Sequence, residues 1–199
     1  MVQRGVVVSY ETIRQWCAKF GQVDANRLRR RPGRPGDKWH LDEVFIRING
    51  TIHFLWRAVD QHGNVLDVLV QSRRNTLAAK KFFRRLLTGL RYVPRVLVTD
   101  KLASYGPAHR VVMPSVEHRQ SKYLNIRAEH SHQPTRQRER ATKWFTSPRH
   151  AQRFLSVFSR ISPPFRPRRH LLSATGWRHE MAERFTVWNQ ITGLTTTAA

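Results

Sequence analysis

Three carboxylates stand in positions where an acid needs an explanation. Asp42 lies inside an apolar run beside Val44 and Ile46, where a carboxylate costs stability unless something compensates it. Asp100 closes the short apolar segment Val96-Leu97-Val98-Thr99, and Glu129 opens a stretch otherwise dominated by positive charge. Two acids from strands and one from a helix make up the donor set that two-metal phosphoryl transfer requires. Hard oxygen ligands neutralise two Mg²⁺ or Mn²⁺ ions and space them roughly 4 Å apart. One ion would activate an attacking oxygen and the other would stabilise the leaving oxygen. Carboxylates in a basic protein also make sense on these terms, because without cations they would repel a phosphodiester.

The rest of the composition points to the same class of partner. Lys and Arg number 36 against 13 acidic residues in 199, a formal charge of +23, far more than solubility requires. A polyanion is implied, and the charge alone does not separate DNA from RNA or an anionic membrane surface. No apolar run approaches the roughly 20 residues needed to span a bilayer, and Met1-Val2-Gln3-Arg4 does not begin a secretory signal, so a cytoplasmic, nucleoid-associated protein without membrane contact is expected. Cys17 is the single cysteine, which excludes an intramolecular disulfide and a cysteine-based zinc site. The histidines are scattered; His130 and His132 are close together but lack a matching ligand pair, and read as solvated or DNA-facing groups. A basic RNA-binding or ribosomal protein would explain the charge and leave the acids unexplained.

The elements that must position these acids can be traced along the chain. Ser9 is a candidate N-cap, Val8 and Ile13 sit where a hydrophobic staple would, and Gly21 follows the last turn of a helix whose apolar stripe is Ile13, Trp16 and Phe20. Arg14, Gln15 and Lys19 lie between, the residue types a recognition helix presents to DNA, although an ordinary packed helix with a solvated face gives the same periodicity. Residues 27–38, with five arginines including Arg29, Arg30 and Arg31 and two Pro-Gly steps, disfavour any regular element and read as a basic linker able to follow a phosphate backbone. Leu41 to Ile48 is strand-like, Asn49-Gly50 is a hairpin turn signal, and Thr51 to Val59 returns. Val65 to Val70 gives a third strand, a helix follows from about Asn75 to Leu87, and Val96-Leu97-Val98 is a short buried strand. The order β-β-β-α-β predicts a mixed sheet with a right-handed crossover and strand ends exposed at its rim. Residues 127–160 are helical in composition, interrupted by Pro134. Between Pro134 and His170 ten Lys or Arg residues face one acid, Glu139, which marks a DNA surface better than an ion-paired one.

Trp39-His40-Leu41-Asp42-Glu43, Arg57-Ala58-Val59-Asp60, Ser72-Arg73-Arg74-Asn75, Thr99-Asp100-Lys101, His118 through Asn125, Glu129 through Arg140 and Phe165 through His170 resemble DDE transposases of the IS6 family (IS26/IS240-like) of insertion sequences. The resemblance implies an α/β fold: an RNase H-like catalytic domain, a mixed sheet flanked by helices, over 38–162. It is preceded by a partial helix-turn-helix over 1–26 and a basic Pro/Gly linker over 27–37, and followed by a basic C-terminal extension over 163–199. It implies metal-dependent cleavage and strand transfer at terminal inverted repeats, with Asp42, Asp100 and Glu129 as catalytic metal ligands for two Mg²⁺ or Mn²⁺ ions. Arg136 matches the basic residue that follows the glutamate, and on a continuous helix would share its face and hold a phosphate. Double-stranded DNA, as terminal repeats and as target, is the implied partner, approached by Arg14, Gln15, Lys19, Arg29, Arg30, Arg31, Lys101, Lys122, Arg138 and Arg140. A homodimer or larger assembly is implied because two DNA ends must meet. The family pattern also extends ahead of Met1, so an N-terminally shortened member is expected, with a catalytically inactive DNA-binding remnant as the alternative to an active transposase. Among the other acids, Glu43 is expected on the opposite face of its strand from Asp42, as a structural or supporting group. Asp60 is expected at a strand end, and Asp67 at the surface near a turn.

Overall fold

The computed structural model describes residues 19, 21, 23, 26–27, 35–132, 145–161 and 171–192, with the backbone alone at 127, 129, 160 and 192. The chain divides into two compact units, residues 33–159, and residues 1–32 together with 160–199.

The first unit is built on a five-stranded sheet of order β3-β2-β1-β4-β5. Strands β1 (Lys38–Ile48), β2 (Thr51–Asp60) and β3 (Val65–Gln71) form an antiparallel meander, and β4 (Val96–Thr99) and β5 (Glu117–Gln120) run parallel to β1. This mixed order is the RNase H-like arrangement expected from the sequence. The β1–β2 hairpin turns on Asn49 and Gly50, both with positive φ (46° and 77°), the geometry that matches the right-handed twist of the flanking strands. A parallel strand buried on both faces reads as continuous apolar sequence, and all four residues of β4 are buried.

Helix α1 (Thr76–Leu90) starts where the Asn75 side chain accepts from the amide of Ala78, and stops at Arg91 in the left-handed conformation, whose N–H returns to the carbonyl of Leu87. Helix α2 (Tyr105–Val112) was not expected from the sequence; Gly106 and Pro107 stand in its first turn, where proline costs no hydrogen bond. With α1 it covers one face of the sheet, where Trp39, Leu41, Trp56, Ala58, Phe82, Phe83, Leu86, Leu97 and Tyr105 are buried together. Strand β5 also carries no apolar periodicity: at the sheet edge its four residues are exposed or half-buried.

Two described helices fall in the stretch of helical composition over 127–160, with residues 145–147 before the second one not helical. Helix α3 covers Ile126–Ser131, preceded by a 3₁₀ turn over Tyr123–Asn125, and helix α4 covers Pro148–Ile161. Before α4, Phe145 forms a β-bridge with Ile48, its carbonyl accepting from the Asn49 amide at 3.0 Å. Phe145, Ala151 and Leu155 then cover the second face of the sheet against Val44, Ile46, Ile48, Leu55 and Val68. Pro134 lies outside the described residues. In the second unit, helix α5 (Ala174–Thr192) has no buried residue among those whose side chains are described, and it carries an Arg184–Glu180 pair at 2.6 Å one turn apart. No helix among the described residues is long and apolar enough to cross a membrane.

Candidate active site

The site is set by where β4 stops. Its last pair with β1 is Thr99 beside Leu41, so Asp42 and Asp100 are the next residues on two neighbouring parallel strands. Beyond that point no described strand pairs with this edge of β1 until Ile48 bridges to Phe145. Asp42 shares the sheet face of Val44, and Glu43 the opposite face; with no described strand beside them on the β4 side, both can turn toward Asp100. Asp42, Glu43 and Asp100 each offer a carboxylate oxygen, and the three oxygens lie within 4.8 Å of one another. The Glu43 side chain emerges from the opposite face, as expected, and one of its oxygens still comes within 4.8 Å of those of Asp42 and Asp100.

Each acid is held differently. Asp100 Oδ1 accepts from the Leu102 amide at 3.0 Å, a local turn that fixes the carboxylate at the strand end. Glu43 is buried and accepts from the Tyr105 hydroxyl at 2.5 Å, with Arg74 Nε at 3.2 Å. Burial pushes its pKa up to about 7; the Tyr105 bond opposes that, the charges of Asp100 and Asp42 add to it, and Arg74 opposes it. Tyr105 is itself held well above its ordinary value by burial and by Glu43. Asp42 has His132 on its other side, with Nε2 3.6 Å from Oδ2 and the imidazole almost wholly buried. His132 therefore departs from the solvated or DNA-facing role read from sequence, because the docking of α3 carries it beneath Asp42; His130 is exposed.

Glu129 lies in α3, which packs on β1 and β2. Asn125, just before that helix, donates from Nδ2 to the carbonyl of Leu41 at 2.7 Å, and Arg57 donates to the carbonyl of Ser131 at its end. Arg57 is buried on β2 directly across from Asp42, and burial lowers its pKa to about 10, so it stays a cation at neutral pH. Sequence reasoning did not single out Arg57 or Tyr105 as site residues, and named Asn125 only within a family motif. A buried-side signal for Arg57 was present, since its neighbours Leu55, Trp56, Ala58 and Val59 are all apolar.

Of the other expected residues, Lys101 and Lys122 are exposed on the segments that follow β4 and β5, and Lys19 is exposed on a helical segment of the second unit. Arg14, Gln15, Arg29, Arg30, Arg31, Arg136, Arg138 and Arg140 lie outside the described residues. Asp60 closes β2 as expected, buried, its carboxylate accepting from the amides of His62 and Asn64 and from Asn64 Nδ2. Asp67 is not beside a turn; it sits within β3 and pairs with Arg85 at 2.5 Å.

Residues 36–166 match the IS240-type model of the DDE domain. Over 135 residues the chain is 29% identical to the transposase for insertion sequence-like element IS431mec of Staphylococcus aureus strain Mu50, covering 65% of this chain and 60% of that one. The transposase for insertion sequence element IS257 in transposon Tn4003, also from Staphylococcus aureus, is 29% identical over 134 residues and covers 65% and 59%. The chain thus spans about three fifths of the length of these relatives. Among solved structures, the catalytic domain of Mos1 mariner transposase aligns with a TM-score of 0.49 at 14% identity, over 95% of this chain and 96% of that one. These figures add nothing to what the sheet order already gives. With an IS240-type DDE match over most of its length, and Asp42 and Asp100 side by side on the matched strands, the chain belongs to the DDE transposases of the IS6 family of insertion sequences.

Proposed function

We propose that this protein cleaves and joins DNA at the ends of an insertion sequence, with Asp42, Asp100 and Glu129 as its metal ligands. The observation that carries the proposal is the convergence of the Asp42 and Asp100 oxygens at the open end of the β1–β4 ladder, beside the helix that carries Glu129. An all-oxygen donor set of this kind suits hard divalent cations such as Mg²⁺ or Mn²⁺. When bound, two such ions would lower the barrier by activating the attacking oxygen of water or of a DNA 3′-hydroxyl and by neutralising charge on the leaving oxygen.

The chain's own residues supply the rest. Asp42 within β1, Asp100 just past the end of β4 and Glu129 on α3 would hold the ions, and burial around Glu43, Tyr105 and Arg57 keeps the floor of the site rigid. Exposed Lys101 and Lys122 neutralise phosphates of the duplex near the site, as do Lys19 and the arginines 14, 29, 30, 31, 138 and 140 with Gln15 elsewhere on the DNA path. Arg136 holds a phosphate close to the acids. Joining requires two DNA ends, so the working form contains two or more copies acting on terminal inverted repeats and target DNA.

The test is strand transfer by the purified chain on labelled DNA carrying the element's end, with Mg²⁺ or Mn²⁺, beside Asp100→Asn. Joined product that depends on the metal and vanishes in the variant supports the proposal. DNA bound equally by both proteins, with no joining by either, would replace it with a catalytically silent DNA-binding role.

A further inference from the structure

Helix α3 is six residues long, far short of what sustains a helix in water on its own, so its place in the site must come from what holds its ends. Two buried side chains do this. At the start, Asn125, 3% exposed, reaches the carbonyl of Leu41, the residue immediately before Asp42. Its Oδ1 has no hydrogen-bond partner among the described residues, a cost accepted while the amide N–H is committed to Leu41. At the end, Arg57, also 3% exposed, gives Nη1 to the carbonyl of Ser131 and Nη2 to Ser159 Oγ at 3.3 Å. The last carbonyls of a helix lack intrahelical partners and carry partial negative charge, so a buried guanidinium there answers both deficits.

Both anchors converge on the same catalytic residue. Leu41 precedes Asp42 in β1, and Arg57 is the cross-strand partner of Asp42. Glu129 lies between the two anchored ends. We propose that Arg57 and Asn125 are positioning residues of the metal site, locking the backbone that carries Glu129 in register with the strand that carries Asp42. Neither ligates the metal. The proposal rests on the assignment of Asp42, Asp100 and Glu129 as ligands. It adds that the third ligand's place is set by two hydrogen-bond donors outside the acid set. The Arg57 fork matters because one guanidinium reaches α3 and α4 at once, which a lysine ammonium on a flexible stem does not reproduce.

Hydrogen–deuterium exchange and Mn²⁺ titration calorimetry on the full chain test this, using Arg57→Lys, Asn125→Asp and Asp42→Asn beside wild type. Asn125→Asp keeps the shape and places an acceptor against the Leu41 carbonyl. In both anchor variants, exchange of the 126–131 amides should rise about tenfold or more while β4 keeps wild-type protection, and Mn²⁺ affinity should fall about 10- to 100-fold. Asp42→Asn should weaken Mn²⁺ binding without releasing 126–131. Wild-type exchange over 126–131 in both anchor variants would overturn the proposal. So would protection lost equally through β1, β2 and β4, the mark of a role in overall stability alone. If wild type itself bound no Mn²⁺, the ligand assignment would fail, and the exchange result would still decide whether these two residues hold α3.

Discussion

The hydroxyl of Tyr105 donates to Oε2 of Glu43 at 2.5 Å, and both groups are buried, one on α2 and the other on β1. This bond ties the helix layer to the strand that carries Asp42. Removing the donor alone leaves a carboxylate oxygen buried without a partner, which costs more than the bond itself contributes. Tyr105→Phe should therefore destabilise the chain by about 1–3 kcal/mol in urea unfolding. In Tyr105→Phe/Glu43→Leu, where both polar groups are gone, part of that loss should be recovered. A double variant less stable than Tyr105→Phe would show that the Glu43 carboxylate is satisfied without Tyr105.

Much of this arrangement could be read from sequence. Asn49-Gly50 fixes a two-residue turn, and equal steps outward from it reach Asp42 and Arg57 together, the pair observed in the β1–β2 register. Asp42 and Asp100 stood out because acids ending or interrupting apolar strands need a reason. The elements that escaped notice did so for physical causes. Helix α2 hides a proline in its first turn, and β5 is an edge strand of Glu117, His118, Arg119 and Gln120 with no apolar face to show a period. Glu43 was placed on the correct face by alternation. Its approach to Asp100 depends on β4 ending at Thr99, and strand ends are poorly marked in sequence. His132 beneath Asp42 follows from the docking of α3, which periodicity over six residues cannot reveal.

His118 gives the chain a defined acid sensitivity. Partial burial, with the His109 ring 4.6 Å away, lowers its pKa from 6.5 to about 4. His109 donates from Nε2 to the Val116 carbonyl, and His118 Nε2 lies 2.9 Å from the Thr99 hydroxyl. Below pH 6.5 the unfolded chain takes up a proton that the folded chain refuses until about pH 4. Stability from this group is full above that window, falls as pH drops through it, and falls no further below it. His118→Gln removes the titration, so the difference in unfolding midpoint between wild type and variant should change between pH 6.5 and 4 and level off outside. A difference flat across that window would show that His118 titrates alike in both states.

Asp60 separates a structural carboxylate from the proposed metal ligands. It accepts from the His62 amide at 2.8 Å, the Asn64 amide at 2.9 Å and Asn64 Nδ2 at 3.0 Å, all within its own turn. Asp60→Ala strands those donors and should cost about 1–3 kcal/mol in chemical denaturation. Under conditions where the variant is folded, its Mn²⁺ affinity should match wild type, whereas Asp100→Asn should lose affinity and keep stability. A parallel loss of metal binding in Asp60→Ala would place Asp60 in the metal site after all.

Trp56 carries the packing under the site. It is fully buried, with the Tyr105 ring edge-on at 5.6 Å and Phe82 at 6.1 Å, and it pairs across the hairpin with Glu43. Its indole N–H is buried without a hydrogen-bond partner among the described residues. Two substitutions should therefore diverge. Trp56→Ala opens a large cavity beside Tyr105 and should cost about 3–5 kcal/mol. Trp56→Phe loses area but also removes the unpaired donor, so its cost should stay below about 1.5 kcal/mol. Urea unfolding of both variants provides the comparison, and the aromatic contact predicts a further result. If Trp56 braces Tyr105 against Glu43, Tyr105→Phe should cost less in the Trp56→Ala background than in wild type, because the hydroxyl is then less firmly held. Strict additivity would mean that the ring contact fills space without steering the hydroxyl.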